Sequence, residues 1–231
     1  MGIKEWFAGP TPIAKLKEKH DAPSLESALV GSDLRRREEA AAALGELNDP
    51  ATVPALGRAL LDQDRERPLR SLQRMHTDEG WIQGALESNW RGFKIAVVRA
   101  LGSLAGSDAG DFLIQALSDP VREVRCEAAK VLGTLGDARS IPHLIHALRD
   151  EWEWVRIEAA EALGHLRTPV AIGPLVDAYE QDSSQGVRVK AIFALQKVLF
   201  TDAAPSSLMD AESAANVIGL ARAYVRGDFP N

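Results

Sequence analysis

The sequence predicts an all-α protein: a stack of about six helical hairpins, closed by a capping helix at each end. Two recurring phrases and one absence carry this reading. An Ala-Leu pair recurs at Ala28-Leu29, Ala59-Leu60, Ala85-Leu86, Ala116-Leu117 and Ala147-Leu148, with Ala178-Tyr179 as its last copy, in steps of 31, 26, 31, 31 and 31 residues. A second phrase, Ala-Leu-Gly-x-Leu, stands at Ala43–Leu47, Ala100–Leu104 and Ala162–Leu166, with the variant Val131–Leu135. A fixed period in this range marks stacked supersecondary units, none of which can bury its apolar face alone. No stretch alternates apolar and polar residues with period two over a useful length, so no sheet is expected.

The elements follow in chain order. Residues 1–21 form an N-terminal capping segment, with a short helix over Pro12–Lys19. The repeats occupy residues 22–200, each as two helices. The first helix of a unit spaces its apolar residues as in Ile141, Leu144, Ile145 and Leu148, the second as in Val155, Ala159, Ala160, Leu163 and Leu166. Those intervals place them on one face of a 3.6-residue helix. Asp119-Pro120 separates the helices of one unit, and Gly136-Asp137 or Asn48-Asp49-Pro50 separates units, as helix ends require. The unit after Leu60 is five residues short. It has no Ala-Leu-Gly phrase, carries Arg65, Arg67, Arg70 and Arg74, and runs into the irregular segment His76–Trp81. The irregularity spans about 63–90 and reads either as a drifted repeat or as a binding loop. Residues 201–231 supply a C-terminal capping helix, and the whole chain reads as one array.

Composition narrows the function. The chain of 231 residues carries a formal charge of -6 and 45% hydrophobic residues. It is acidic where a general nucleic-acid binder needs a basic surface. The single cysteine, Cys126, allows neither a disulfide framework nor a thiolate zinc cage. The apolar runs are shorter than a bilayer span and the N-terminus has no signal-like core, so a soluble, cytoplasmic protein without a membrane partner is expected.

One basic residue lies seven places before the leucine of each second helix: Arg37, Lys94, Arg125, Arg156 and Arg188. An aspartate stands six places before three of them, at Asp119, Asp150 and Asp182; the other two units have Ser88 and Gly31 there. An aspartate in the turn can bond the arginine of its own unit and reach that of the neighbouring unit. Repeated along a stack, the row reads as a structural ladder, and the matched acids weigh against an anion-binding stripe.

The run Asp119–Asp137, Asp-Pro-x-x-x-Val-Arg-x-x-Ala-Ala-x-x-Leu-Gly-x-Leu-Gly-Asp, resembles the HEAT-like repeats of the phycobilisome-lyase type. The resemblance covers roughly residues 22–200. It implies a right-handed α-solenoid of HEAT-like or armadillo-type hairpins, with the second helix of each pair lining the concave face. It is specific for fold and not for activity. Deoxyhypusine hydroxylase, a di-iron enzyme of this type, uses repeated His-Glu pairs, and this chain has no His-Glu dipeptide. A HEAT-like DNA glycosylase would need a basic groove, yet Glu39, Glu127 and Glu158 accompany Lys190 in the row beside the ladder. A phycobilin lyase or tetrapyrrole chaperone, with a bilin as its ligand, is the alternative function.

Nothing in the residues marks a catalytic, cofactor-binding or metal site. His143 and His146 share a helix face, but their register is a solvent-facing one. Cys126 follows Arg125, which could lower its pKa; its register is that of a half-buried structural thiol. The remaining signal is aromatic. Trp81 and Trp90 flank the first helix of the third unit, while Trp152 and Trp154 stand at the start of a second helix, beside Arg91 and Arg122 in register. Tryptophan and arginine are enriched at binding hot spots. Trp154, Trp90, Arg91, Arg122, Trp152 and Trp81 are therefore the candidate surface for another protein. For Trp90 and Trp152 a plug between adjacent units is the competing role.

Overall fold

The computed structural model describes residues 11–31, 33–62, 79–104, 109–200 and 211–228, with the side chains of 79–87 and 211 excepted. Among these residues there are helices and no strand. Contacts gather in two compact units, Met1–Phe112 and Leu113–Asn231. The arginines at 65, 67, 70 and 74 and the segment 76–78 lie outside the described residues.

In the first unit, α1 (Ile13–Glu18) and α2 (Ala22–Ala28) pack on α3 (Leu34–Leu47), and α4 (Val53–Leu61) and α3 pack on α5 (Glu79–Ser103). Leu25, Leu44, Leu56, Leu60, Phe93 and Leu101 form its core. Helix α6 (Ala109–Ala116) spans the boundary between the units. In the second unit, α7 (Arg122–Leu135), α9 (Glu153–Leu166) and α11 (Gln185–Leu199) pack side by side in one row. Helix α8 (Ile141–Ala147) backs α9, α10 (Ile172–Gln181) backs α11, and α12 (Ala211–Arg226) closes on α10 and α11. Leu132, Leu144, Leu163, Leu175 and Leu195 are fully buried between the two layers.

Three of the second helices, α3, α7 and α9, end alike. Asn48, Gly136 and Arg167 all adopt the left-handed conformation one residue past the helix, at φ 53°, 70° and 48°. Only Gly136 does so without a steric penalty from Cβ. The chain then turns through a single 3-10 turn into the next first helix. Asp49 and Asp137 cap two of these turns by accepting from the Ala51 and Arg139 amides, each at 3.0 Å.

One expectation is corrected. The third unit does not contain a separate first helix flanked by Trp81 and Trp90; α5 runs unbroken from Glu79 to Ser103. The other units turn where an aspartate accepts the backbone amide two residues on: Asp119 from Val121 at 2.8 Å, Asp150 from Trp152 at 2.9 Å, Asp182 from Ser184 at 2.8 Å. In α5 that place is Ser88, with Asn89 and Trp90 after it. No carboxylate competes there for the amide, and the backbone stays helical.

The glycine of the Ala-Leu-Gly phrase has a defined role. A Cβ on Gly133 would lie 2.6 Å from Ala162 Cα, one on Gly164 2.9 Å from Ala194 Cα, and one on Gly45 2.8 Å from Ala100 Cα. The glycine of one repeat thus receives the alanine that opens the equivalent stretch of the next. The obstacle is backbone, which cannot move aside as a side-chain tip can. Gly133→Ala should therefore cost roughly 1–3 kcal/mol of unfolding free energy, the usual penalty of overpacking. Gly219→Ala, on α12 with nothing within 4 Å of the new methyl, should instead stabilise by about 0.5–1 kcal/mol. Urea denaturation of the two variants beside the parent checks the opposite signs.

Candidate functional site

The ladder residues of the second unit make a continuous chain of hydrogen bonds. Arg125 donates through Nε and Nη2 to the two carboxylate oxygens of Asp150, at 2.8 and 2.9 Å. Arg156 does the same to Asp182, at 2.7 and 2.9 Å. Each arginine turns its third nitrogen to the carbonyl of the aspartate in its own unit: Arg125 to Asp119 at 3.0 Å, Arg156 to Asp150 at 2.8 Å. Arg188 repeats this bond to the Asp182 carbonyl at 2.8 Å. A guanidinium spans the gap because its planar fork offers parallel donors to a carboxylate and one more to a carbonyl. Asp150 and Asp182 also accept the backbone amide two residues on, in the turn before their own second helices, so each of these carboxylates serves two repeats.

The first unit has a related rung. Arg37, 1% exposed, donates to Asp62 at 3.1 Å and lies against two aromatic rings, 5.1 Å from the Trp90 centroid and 4.2 Å from that of Phe93. Asp62 escapes notice when acids are sought only six residues before each base. The spacing from arginine to the next unit's acid, 25 or 26 residues in the second unit, would have found it. Lys94 is buried, with its ammonium 5.9 Å from the Trp90 centroid. It stands on the unbroken helix α5, where the carbonyl six residues back belongs to a helical turn and not to an open loop.

The structure divides the candidate surface. Trp90 is only 3% exposed, against Arg37 and Phe93, so its place in an exposed ridge is corrected: it fills the core of the first unit. Its indole nitrogen has no hydrogen-bond partner among the described residues. Arg91 is exposed in the first unit, and the Trp81 side chain lies outside the described residues. Trp154, Trp152 and Arg122 come together in the second unit. Trp154 is 52% exposed on the first turn of α9. Trp152 is half-buried, with its amide held by Asp150, and the Arg122 guanidinium lies 4.9 Å from its ring centroid. Val189 on α11 is also exposed, and Cys126 Sγ on α7 approaches the Trp154 carbonyl at 3.8 Å. The ladder thereby holds the backbone of the segment that presents Trp154.

Burial and neighbouring acids together set the state of the Cys126 thiol. Burial pushes the Cys126 thiol up to about 11, and the carboxylates of Glu158 and Glu127 add to the effect. The thiol is half-buried, as its register suggests, and Arg125 does not lower it because that side chain is turned to Asp150 and Glu151. His143 and His146 are exposed. Among the described residues, no three of His, Cys, Asp and Glu gather as a metal-ligand set, and no helix is long and apolar enough to cross a membrane.

These stacked hairpins match a known repeat. The model for HEAT repeats fits residues 79–163 and 111–196, and that for the PBS lyase HEAT-like repeat fits residues 36–62. The chain belongs to the HEAT-repeat family. Among solved structures it is similar to human deoxyhypusine hydroxylase in complex with glycerol, at 25% identity over 81% of this chain and 76% of that one, with a TM-score of 0.44. It is also similar to the CpcE–CpcF complex of phycocyanin lyase from a Nostoc species, at 23% identity over 92% and 71% of the two chains, with a TM-score of 0.38. A third is the archaeal HEAT-like repeats protein from Thermococcus onnurineus, at 15% identity over 94% and 100%, with a TM-score of 0.47. No curated protein matches the chain.

In this HEAT-repeat chain the ladder has measurable consequences. Arg156→Ala strips a largely buried aspartate of both guanidinium bonds and should cost roughly 1–3 kcal/mol. Arg139→Ala, at the exposed Arg139–Asp137 pair, should cost less than about 1 kcal/mol. Thermal melts of the two variants check the contrast. Acid should act on the same bonds. Burial alone would raise the Asp182 pKa, but hydrogen bonds from Arg156 and the Ser184 amide, with the charges of Arg156 and Arg188, hold it below the ordinary aspartate range. A depressed folded pKa stabilises fully above the unfolded value, about 3.9, and the gain disappears as pH falls through the folded value. Stability should therefore drop below about pH 4, and Asp182→Asn should flatten that acid limb in urea unfolding followed across pH.

Proposed function

We propose that this HEAT-repeat protein is a non-catalytic scaffold that binds another protein on the face carried by its second helices, in a cytoplasmic setting. The observation that carries the reading is Trp154, a large apolar side chain 52% exposed on the first turn of a well-anchored helix. Its register position holds Glu123 on α7 and Gly186 on α11, so nothing in the repeat pattern asks for an aromatic there. Trp152 and Arg122 beside it are held by stacking and by the Asp150 cap. Such a surface is pre-organised, and little side-chain freedom is lost when a partner covers it.

An exposed tryptophan kept for folding would lower the melting temperature when removed. One kept for binding would not. Trp154→Ala should weaken partner binding about tenfold or more, within the range of interface hot spots, and leave the melting temperature nearly unchanged. The check is quantitative affinity capture from the source organism with parent and variant side by side, alongside thermal melts of both. Unfolding of the variant would assign Trp154 to packing between repeats. Addition of phycocyanobilin should leave the visible absorption of the bilin unchanged; a shift would point to ligand handling instead.

A further inference from the structure

The stretch of chain between Asp62 and Asn89 has no counterpart in the hairpins of the second unit. The bonds and contacts on either side of it show where it enters. Arg37 on α3 donates to Asp62, 25 residues on, the same spacing as Arg125 to Asp150. The run Ala59-Leu60-Leu61-Asp62 at the end of α4 repeats Ala147-Leu148-Arg149-Asp150 at the end of α8. Asp62 is therefore the turn aspartate of the hairpin whose first helix is α4.

The second helix of that hairpin is the C-terminal part of α5. Helix α3 packs directly on α5. Gly45 meets Ala100 there as Gly133 meets Ala162 between α7 and α9, and Ser103 Oγ donates to the Gly45 carbonyl at 2.9 Å. Yet Gly45 and Ala100 are 55 residues apart in the chain, against 29 for Gly133 and Ala162. The excess falls between the aspartate and the base. Asp150 stands six residues before Arg156 and Asp182 six before Arg188, whereas Asp62 stands 32 before Lys94. The helix starts agree. Helices α3, α7, α9 and α11 each begin three residues before their base, while α5 begins fifteen before Lys94. At 1.5 Å per residue, α5 thus continues for ~18 Å beyond the level at which α3 begins.

We infer that residues 63–88 are an insertion into the turn of a single hairpin, between α4 and the C-terminal part of α5, and that the stack folds without them. Their removal would join Asp62 to Asn89 and create the run Asp-Asn-Trp-Arg-Gly-Phe-Lys. This matches Asp150–Arg156, Asp-Glu-Trp-Glu-Trp-Val-Arg, in the aspartate, the tryptophan two residues on and the base six on. Asp62 then takes the place that Ser88 holds before Lys94, and Arg37 keeps its acceptor. Added chain is tolerated at such turns because it leaves the packed faces of both helices intact. The shorter connection also costs less chain entropy to close. The inference goes beyond the scaffold reading and does not depend on it.

The test is the otherwise full chain with residues 63–88 deleted. Circular dichroism should show a helical protein that melts in one cooperative transition near the parent's temperature. Loss of a whole repeat could also leave a folded stack, so the distance from α3 to α5 is measured as well. Spin labels at Ala42→Cys and Arg99→Cys, both exposed, in a Cys126→Ser background should report the same separation in the full chain and in the deletion variant. An unfolded deletion variant would make the segment part of the core. A separation shortened by one helix spacing, roughly 10 Å, would make it a repeat standing between α3 and α5. Either result overturns the inference.

Discussion

In the second unit, the carboxylates of Asp150 and Asp182 each bond within their own repeat and to the preceding one. Asp150 accepts the Trp152 amide, which turns the chain into α9, and it receives both forks of Arg125 from the preceding repeat. Intra-repeat geometry and inter-repeat register are thereby coupled through one residue. Asp182 does the same for α11 and Arg156. Taking a guanidinium and a carboxylate out of water is expensive unless their remaining donors and acceptors are satisfied. Backbone groups meet that condition here: the aspartate's carbonyl takes the arginine of its own repeat, and its carboxylate takes an amide. The ladder therefore adds directional order to a stack whose cohesion comes from buried leucine and alanine.

The glycine-to-alanine contacts act beside it. Gly133 against Ala162 and Gly164 against Ala194 let neighbouring second helices approach until backbone meets backbone. Dispersion is densest in such contacts, and a single added methyl disrupts them. Polar bonds at one end of the second helices and close apolar contact further along thus fix both the spacing and the rotation of adjacent helices.

The repeats were legible because these constraints recur. A base seven residues before each leucine and an aspartate six before the base are written in the chain as fixed offsets, and so is the glycine. What recurs less was harder to read. Helix α5 needed the absence of an aspartate at Ser88 to be taken as the absence of a turn, although the Ala-Leu phrases still imply a hairpin. Trp90 shares its register with Trp152, yet the first is buried against Arg37 and Phe93 and the second half-exposed under Arg122. Register places a residue on a helix face, while burial depends on what the neighbouring repeat supplies. The Cys126 thiol is likewise set by its surroundings and not by the arginine before it in the chain. Its sequence neighbour Arg125 is committed to Asp150, while burial, then Glu158 on the neighbouring helix and the adjacent Glu127, raise the thiol.

Because the bond from one repeat to the next is the same at each junction, the junctions of the second unit are interchangeable. Arg125 to Asp150 and Arg156 to Asp182 differ in spacing by a single residue. A gene segment coding for one such repeat carries an acceptor at its front and a donor behind it. Copied in tandem, it would present each new seam with a complete pair and no orphaned charge. The array can therefore lengthen or shorten by whole repeats without new side-chain chemistry, whereas α5, which has neither the turn nor its aspartate, cannot be duplicated in this way.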